Sequence, residues 1–515
     1  MIAIIRASIL FFRKCYNLGV TETVGEHIDE TAELNLETVK KRSIKGVLAL
    51  TGRTLVLNVV SLIAQAFLWA FLSPEQFGVF WIVSAVVNFL VYFSDIGLAA
   101  ALIQKRDTPN ETDLKTTFTV QQILVIFLLV VLFVATPFLR TKYSLTQEGI
   151  YLLYALGISF FMSSLKSIPS ILLERKLQFG KFVLPQILEN LFYNLSLVFF
   201  AWNGFGIMSF TYAVLIRGVI GLITMYALSP WKPGFSLSVA SLKDLLRFGV
   251  PYQLKTFVSV LKDDGMTILL GSILGPLGLG YLGMARRWSQ LPLRFFMDNV
   301  TKVTFPAFAR MQDDKDHLKR TITRSIFFIT FLAFPAIVGL VVISPLLVRV
   351  VPKYNQWIPA LIPLAIISID TVFGSFTTQL TNALDATGRI KTSFKLTIMW
   401  TVLTFVLVPV LAIKFGVIGA SVAYALVGVS SVVAIIVAQK HFHFSLWEGV
   451  GKTGISAALM GVILFVLRGL LPIELYSLWI LLLVGAVSYS VLVFATIGIT
   501  LLDDVKKALS ATFRK

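Results

Sequence analysis

Long uncharged apolar runs recur along this chain, and they limit its fold more than any other feature. About 20 residues of helix cross a hydrocarbon core of ~30 Å, so apolar runs of about 18 or more are candidate membrane helices. About fourteen such runs follow one another in the 515 residues. Six lie in 47–228, six in 248–438 and two in 452–501. The connections near 203–206, 275–278 and 414–416 are the weakest separators. Only helices and closed barrels satisfy the backbone in lipid, and the alternating pattern of a membrane barrel is missing. The expected fold is therefore an all-α polytopic membrane protein with about 14 transmembrane helices. Composition agrees, since 14% of residues are charged against about 25% in an ordinary soluble domain.

A net charge of +18 invites a nucleic-acid reading, but its distribution argues against one. With the first helix starting from the cytoplasm, thirty-one Lys and Arg fall in cytoplasmic segments. The external side holds Arg140, Lys142, Arg349, Lys353, Lys414 and Arg468. This positive-inside bias predicts an inner-membrane protein with both termini in the cytoplasm. Cys15 is the single cysteine, so no intramolecular disulfide forms. His27, His317, His441 and His443 lack metal-ligand spacing, and no metal site is expected.

Residues 1–46 read as a cytoplasmic arm. Ile2, Ile5, Ile9 and Phe12 with Arg6, Arg13 and Lys14 have the spacing of a surface-lying helix. Beyond the arm the chain looks internally repeated. Leu72-Ser73-Pro74 with Phe77-Gly78 returns as Leu274-Gly275-Pro276 with Leu279-Gly280. Phe205-Gly206-Ile207 returns as Phe415-Gly416-Val417. Both marks fall at the same step of a six-helix unit, which makes the units parallel repeats. An N-lobe (47–228), a cytoplasmic linker (229–247) and a C-lobe (248–438) follow. A helix pair (452–501) and a cytoplasmic tail (502–515) complete the chain. The pair carries little charge and reads as a peripheral, lipid-facing element; the alternative is a groove for a lipid tail.

Eight bases remain inside the spans: Arg53, Lys166, Arg217, Lys255, Lys262, Arg286, Arg287 and Arg294. Each costs at least ~2.5–3.5 kcal/mol at mid-bilayer unless solvated, paired or used. Arg53 and Lys166 lie near the cytoplasmic boundary, where snorkelling is a sufficient explanation. Lys262 has Asp263 and Asp264 beside it as structural counter-ions. Lys255 and Lys262 are two turns apart and share a helical face, as do Arg287 and Arg294, with a kink expected at Pro292. The acids within the spans are Asp95, Glu189, Asp263, Asp264, Asp298 and Asp370, too few and too scattered to neutralise all eight. A cationic central cavity is the expectation, with arginine suited to bidentate phosphate contact. Its ligand would be a phosphate or pyrophosphate headgroup. Asp95, Asp263, Asp264 and Asp370 are candidates for binding a coupling Na⁺ or H⁺. Asp370 has a salt bridge to an arginine as its alternative role, and Asp95 a local packing role.

The external loops are short and no catalytic constellation or Walker motif is present, so the chain reads as a non-enzyme without a nucleotide motor. Leu72-Ser-Pro-Glu-Gln-Phe-Gly-Val-Phe80, Asp95-Ile-Gly-Leu-Ala-Ala-Ala-Leu-Ile-Gln104, Gly280-Tyr281 with Phe305-Pro-Ala-Phe-Ala-Arg-Met-Gln-Asp-Asp314, and Ala383-Leu-Asp-Ala-Thr-Gly-Arg389 resemble the polysaccharide transporter (Wzx-type flippase) family of the MOP exporter superfamily. That resemblance implies two six-helix lobes around a central cavity and alternating access. It implies export of an undecaprenyl-pyrophosphate-linked oligosaccharide among membrane lipids, with a polysaccharide polymerase and a chain-length regulator as partners. A lipid II-type flippase, a multidrug-type antiporter, and a polysaccharide polymerase or ligase are the alternatives. The antiporter class exports cations and calls for an acidic cavity.

Overall fold

A computed structural model describes residues 36–105 and 107–497. The amphipathic N-terminal stretch, Cys15 and the tail 502–515 lie outside the described residues. All regular structure described is helical. In chain order the helices are α1 (Leu36–Phe71), α2 (Pro74–Tyr92), α3 (Leu98–Gln104), α4 (Glu111–Tyr143) and α5 (Gln147–Leu165). Next come α6 (Ser167–Arg175), α7 (Phe179–Trp202), α8 (Met208–Leu228) and α9 (Val239–Val260). A π-turn, Leu261–Gly265, leads into α10 (Met266–Arg310), α11 (Lys315–Val350) and a 3-10 turn, Tyr354–Ala360. The last are α12 (Leu361–Ala386), α13 (Ile390–Val429), α14 (Val432–Phe442), a second π-turn (Trp447–Gly451), α15 (Lys452–Leu470) and α16 (Leu475–Ile497).

Twelve helical runs among the described residues are long and apolar enough to cross a membrane. Two of them, Leu261–Arg294 and Ile390–Phe442, contain a residue with non-helical dihedrals. Gly275 has φ 66° and ψ 178°, and Gly416 has φ 60° and ψ −140°. Both glycines sit at separators anticipated from sequence, where a positive φ turns the chain without a Cβ clash. The spans therefore number twelve as continuous runs; the expected fourteen would count each glycine-broken run as two. Pro292 lies inside α10, and the residue with non-helical dihedrals in that helix is Gly275.

The described residues form two compact bodies that interleave along the chain. One takes in the described part of Met1–Leu68 with Val87–Pro137 and Ile150–Val260. The other takes in Trp69–Val86, Phe138–Gly149 and the described part of Leu261–Lys515. In the first, Leu98, Leu102, Leu114, Phe118, Ile168 and Leu245 bury one apolar cluster, tying α3 and α6 to the starts of α4 and α9. In the second, α15 and α16 pack on α11 through Phe334, Leu464, Leu481 and Tyr489. The Tyr489 hydroxyl donates to the Phe331 carbonyl at 2.9 Å. The outer sides of this pair are apolar and open, with Phe465, Trp479 and Leu483 exposed, as lipid-facing helices require.

Local chemistry explains how α2 begins. Ser73 Oγ accepts from the Gln76 amide at 3.3 Å, and Gln76 Oε1 accepts from the Ser73 amide at 2.8 Å. This is a reciprocal capping box with proline at the first helical position. Just upstream, Trp357 Nε1 and Gln356 Nε2 donate to the Trp69 carbonyl at 2.7 and 2.9 Å. They satisfy a carbonyl that the end of α1 leaves open.

The first mark of the internal repeat becomes a contact in the second body. Gly78 lies against the Pro276 carbonyl, and Gly280 lies against the Pro74 carbonyl. Each repeat copy thus presents its glycine to the other copy's proline, the self-complementary pattern of a two-fold contact. A methyl group at either glycine would overlap a backbone carbonyl that cannot rotate away. Gly78→Ala and Gly280→Ala are each expected to destabilise by about 1–3 kcal/mol or more. Thermal unfolding in detergent, followed by fluorescence-detected size exclusion, checks this; unchanged melting in both variants would contradict the close approach.

Candidate functional site

In the first body, one carboxylate organises two of the intramembrane bases. Lys166 stands at the break between α5 and α6, Glu189 on α7 and Arg217 on α8. Lys166 Nζ pairs with Glu189 Oε1, and Arg217 Nε lies 3.8 Å from Glu189 Oε2. Glu189 is buried, Lys166 is 16% exposed at its side chain, and Arg217 is 55% exposed. Gly221, one turn beyond Arg217, leaves the room that Glu189 fills, since a Cβ there would overlap its carboxylate. The Arg217 guanidinium lies 5.8 Å from the Tyr193 ring centre, a cation–π arrangement. Two cations share one anion, so a positive charge is left over and sits on the more open side chain. Lys166 is thus held by Glu189, beside the snorkelling that its position near the boundary also allows.

Arg53, also in the first body, is half-buried, and its Nε has no hydrogen-bond partner among the described residues. Asp95 accepts from the Ala99 amide at 3.0 and 3.2 Å and from the side-chain amide of Gln121. That is the geometry of a cap on α3, the local role already open to it from sequence. The side chains of Lys255 and Asp298 lie outside the described part of their helices.

The second body holds a different arrangement. Arg286 on α10 donates to the Tyr424 hydroxyl at 3.5 Å, with its guanidinium 4.9 Å from that ring's centre. The charges of Asp263 and Asp370 act on it, and Lys262 acts on Asp370. Gly428, one turn beyond Tyr424 on α13, lets that helix approach Asp370 so closely that a Cβ would lie 2.9 Å from its Oδ1. On the next residues the Ser289 and Thr371 hydroxyls bond α10 to α12. Lys262, Asp263 and Asp264 all fall in the π-turn Leu261–Gly265. π-Bulges are frequent at functional sites. Arg287 and Arg294 lie on an exposed face of α10, where Arg294 Nη2 donates to Gln290 Oε1 at 3.2 Å.

The structure therefore groups the candidates in two sets: Lys166 and Arg217 around Glu189, and Arg286 with Lys262, Asp263 and Asp370. From sequence, Glu189 is one of the scattered acids and nothing marks Tyr193 or Tyr424. Their spacing carries no local signal; the helix packing alone brings them to the arginines.

With this geometry in hand, the relatives become informative. A family model described as polysaccharide biosynthesis protein matches residues 67–362. The chain belongs to that family. The match takes in both arginine sites up to Arg294, while Asp370 and Tyr424 lie beyond it. The protein is 22% identical over 405 residues to the lipopolysaccharide biosynthesis protein WzxC of Escherichia coli (strain K12), covering 76% of this chain and 79% of that one. It is 26% identical to the succinoglycan biosynthesis transport protein ExoT of Rhizobium meliloti (strain 1021), covering 60% and 62%. Its fold matches the lipid II flippase MurJ in an inward closed conformation, with a TM-score of 0.70 at 15% identity, over 88% of this chain and 99% of that one. It is a multi-pass membrane protein whose fold also matches an inward-facing multidrug resistance MATE family transporter, with a TM-score of 0.56 at 17% identity over 77% of this chain and 98% of that one.

Proposed function

We propose that the protein is a flippase that moves an undecaprenyl-pyrophosphate-linked oligosaccharide from the cytoplasmic to the external leaflet by alternating access. The observation that carries this reading is the unbalanced positive charge inside the spans. Lys166 and Arg217 share the single carboxylate of Glu189. A pyrophosphate supplies the missing negative charge, and planar guanidinium groups match its oxygens. The sugars occupy aqueous space and the lipid tail stays in the bilayer. Relatives named for polysaccharide biosynthesis and transport support the substrate class. The positive-inside bias supports the inner membrane with both termini in the cytoplasm. Asp263 and Asp370, whose charges act on Arg286, are the candidates for a coupling Na⁺ or H⁺.

The test is genetic. Lys262→Glu and Arg287→Glu are expected to abolish surface polysaccharide in a complementation strain while the protein still inserts at normal levels. Lipid-linked intermediates should then build up in the cytoplasmic leaflet. Normal surface polymer in both variants would contradict the reading.

A further inference from the structure

The segment between α8 and α9 has its polarity reversed. Over 235–239 the residues alternate, and it is Phe235, Leu237 and Val239 that face outward, 77%, 60% and 74% exposed. Ser236 and Ser238 face inward, their amides donating to Thr119 Oγ1 and Thr116 Oγ1 on α4 at 3.1 and 3.2 Å. A segment bordering water would show the opposite alternation. The inner side is further fixed by the Trp231 ring, centred 5.2 Å from that of Phe118, while the largely exposed Phe235 keeps one ring contact with Phe118 at 5.9 Å. Pro230 and Pro233 keep the stretch out of helix.

Position and charge identify what covers this apolar edge. α4 has 33 residues, about 50 Å of helix at 1.5 Å per residue, against a ~30 Å hydrocarbon core. Its first turns therefore stand in the headgroup layer, and Thr116 and Thr119 hold the segment there. Lys232, Lys243 and Arg247 are exposed around the same apolar edge. Apolar side chains flanked by bases make an interfacial element, each base adding about 1 kcal/mol of attraction to an anionic lipid surface. We propose that residues 230–247 form a strap seated in the headgroup layer of the adjoining leaflet, with Phe235, Leu237 and Val239 inserted and Lys232, Lys243 and Arg247 bound to anionic lipid. The strap follows the span of α8 and includes the first turns of α9, so its docking anchors the start of α9, the helix that leads along the chain to the π-turn at Lys262.

The experiment uses the full chain in nanodiscs. On a Cys15→Ser background, Phe235→Cys and Leu237→Cys are each labelled with an environment-sensitive fluorophore. The discs contain phosphatidylcholine with or without phosphatidylglycerol. Quenching by doxyl-labelled lipid is expected to exceed quenching by aqueous iodide several-fold at both sites, and to rise with phosphatidylglycerol. Adding Lys232→Gln, Lys243→Gln and Arg247→Gln together should remove most of the phosphatidylglycerol-dependent part. Dominant iodide quenching would overturn the proposal by placing the edge in water. Protection from both quenchers would overturn it by showing a protein partner or a second copy of the chain on the edge. Lipid quenching indifferent to phosphatidylglycerol and to the Lys232→Gln, Lys243→Gln and Arg247→Gln changes would overturn the anionic-lipid assignment.

Discussion

Glu189→Ala is expected to lower stability by about 3–5 kcal/mol, the cost of removing one partner from a buried ion pair. Lys166 would be left with little exposure and with Arg217 as a like-charged neighbour. Lys166→Met combined with Glu189→Leu should behave differently, since replacing both members of a buried pair by apolar groups of similar volume is often neutral or stabilising. The double variant is therefore predicted to melt close to wild type in detergent. Its transport should still fall, because Arg217 loses the carboxylate that holds its Nε. If Glu189→Ala melts like wild type, Glu189 is not the counter-ion that keeps Lys166 in the membrane. Glu189→Gln separates shape from charge, filling the space beside Gly221 without supplying the anion.

Arg286 gives the second large effect, and here the loss is of function. A charge-assisted contact to a phosphate, once truncated, costs about 2–5 kcal/mol, or roughly 30- to 5,000-fold in binding. Arg286→Ala is expected to reduce transport by that order while leaving the fold intact, because the Ser289–Thr371 link between α10 and α12 survives. Arg286→Lys should rescue little, since an ammonium group lacks the planar fork. Tyr424→Phe keeps the ring under the guanidinium and gives up only a 3.5 Å hydrogen bond, so it should cost a few-fold at most. Tyr424→Ala removes the ring as well, adding about 0.5–2 kcal/mol of cation–π interaction. Transport rates in reconstituted vesicles, normalised to folded protein, rank the four variants. Activity in Arg286→Ala equal to wild type would remove Arg286 from the substrate path.

Much of the fold is legible in the sequence because bilayer thickness imposes a length that apolar runs must match. The glycine breaks at Gly275 and Gly416 are visible for the same reason, as short interruptions in runs too long for one span. Helix starts at Leu36 and Val239 are not visible, because polar residues outside the hydrocarbon core form helix without any apolar signature. The π-turn at Leu261–Gly265 has no warning either; one extra residue in a helix leaves composition and hydropathy unchanged. The repeat motif at Pro74-Gly78 and Pro276-Gly280 is legible as a pattern, while its physical meaning, a reciprocal glycine–carbonyl contact, emerges only in three dimensions. For the candidate site, counting charges against acids draws attention to the intramembrane bases. It cannot pair Glu189 with Lys166 and Arg217, nor set Tyr424 beneath Arg286, since those partners come from separate helices.

Reconstitution decides the central claim. Purified protein is placed in proteoliposomes with a fluorescent undecaprenyl-pyrophosphate oligosaccharide, and the fraction reaching the opposite leaflet is followed for wild type and Arg286→Glu, with and without Na⁺ and pH gradients. The expected result is movement by wild type and none by a variant that melts normally. Failure of wild type under every gradient, or equal movement by Arg286→Glu, would contradict a flippase that works through intramembrane arginine.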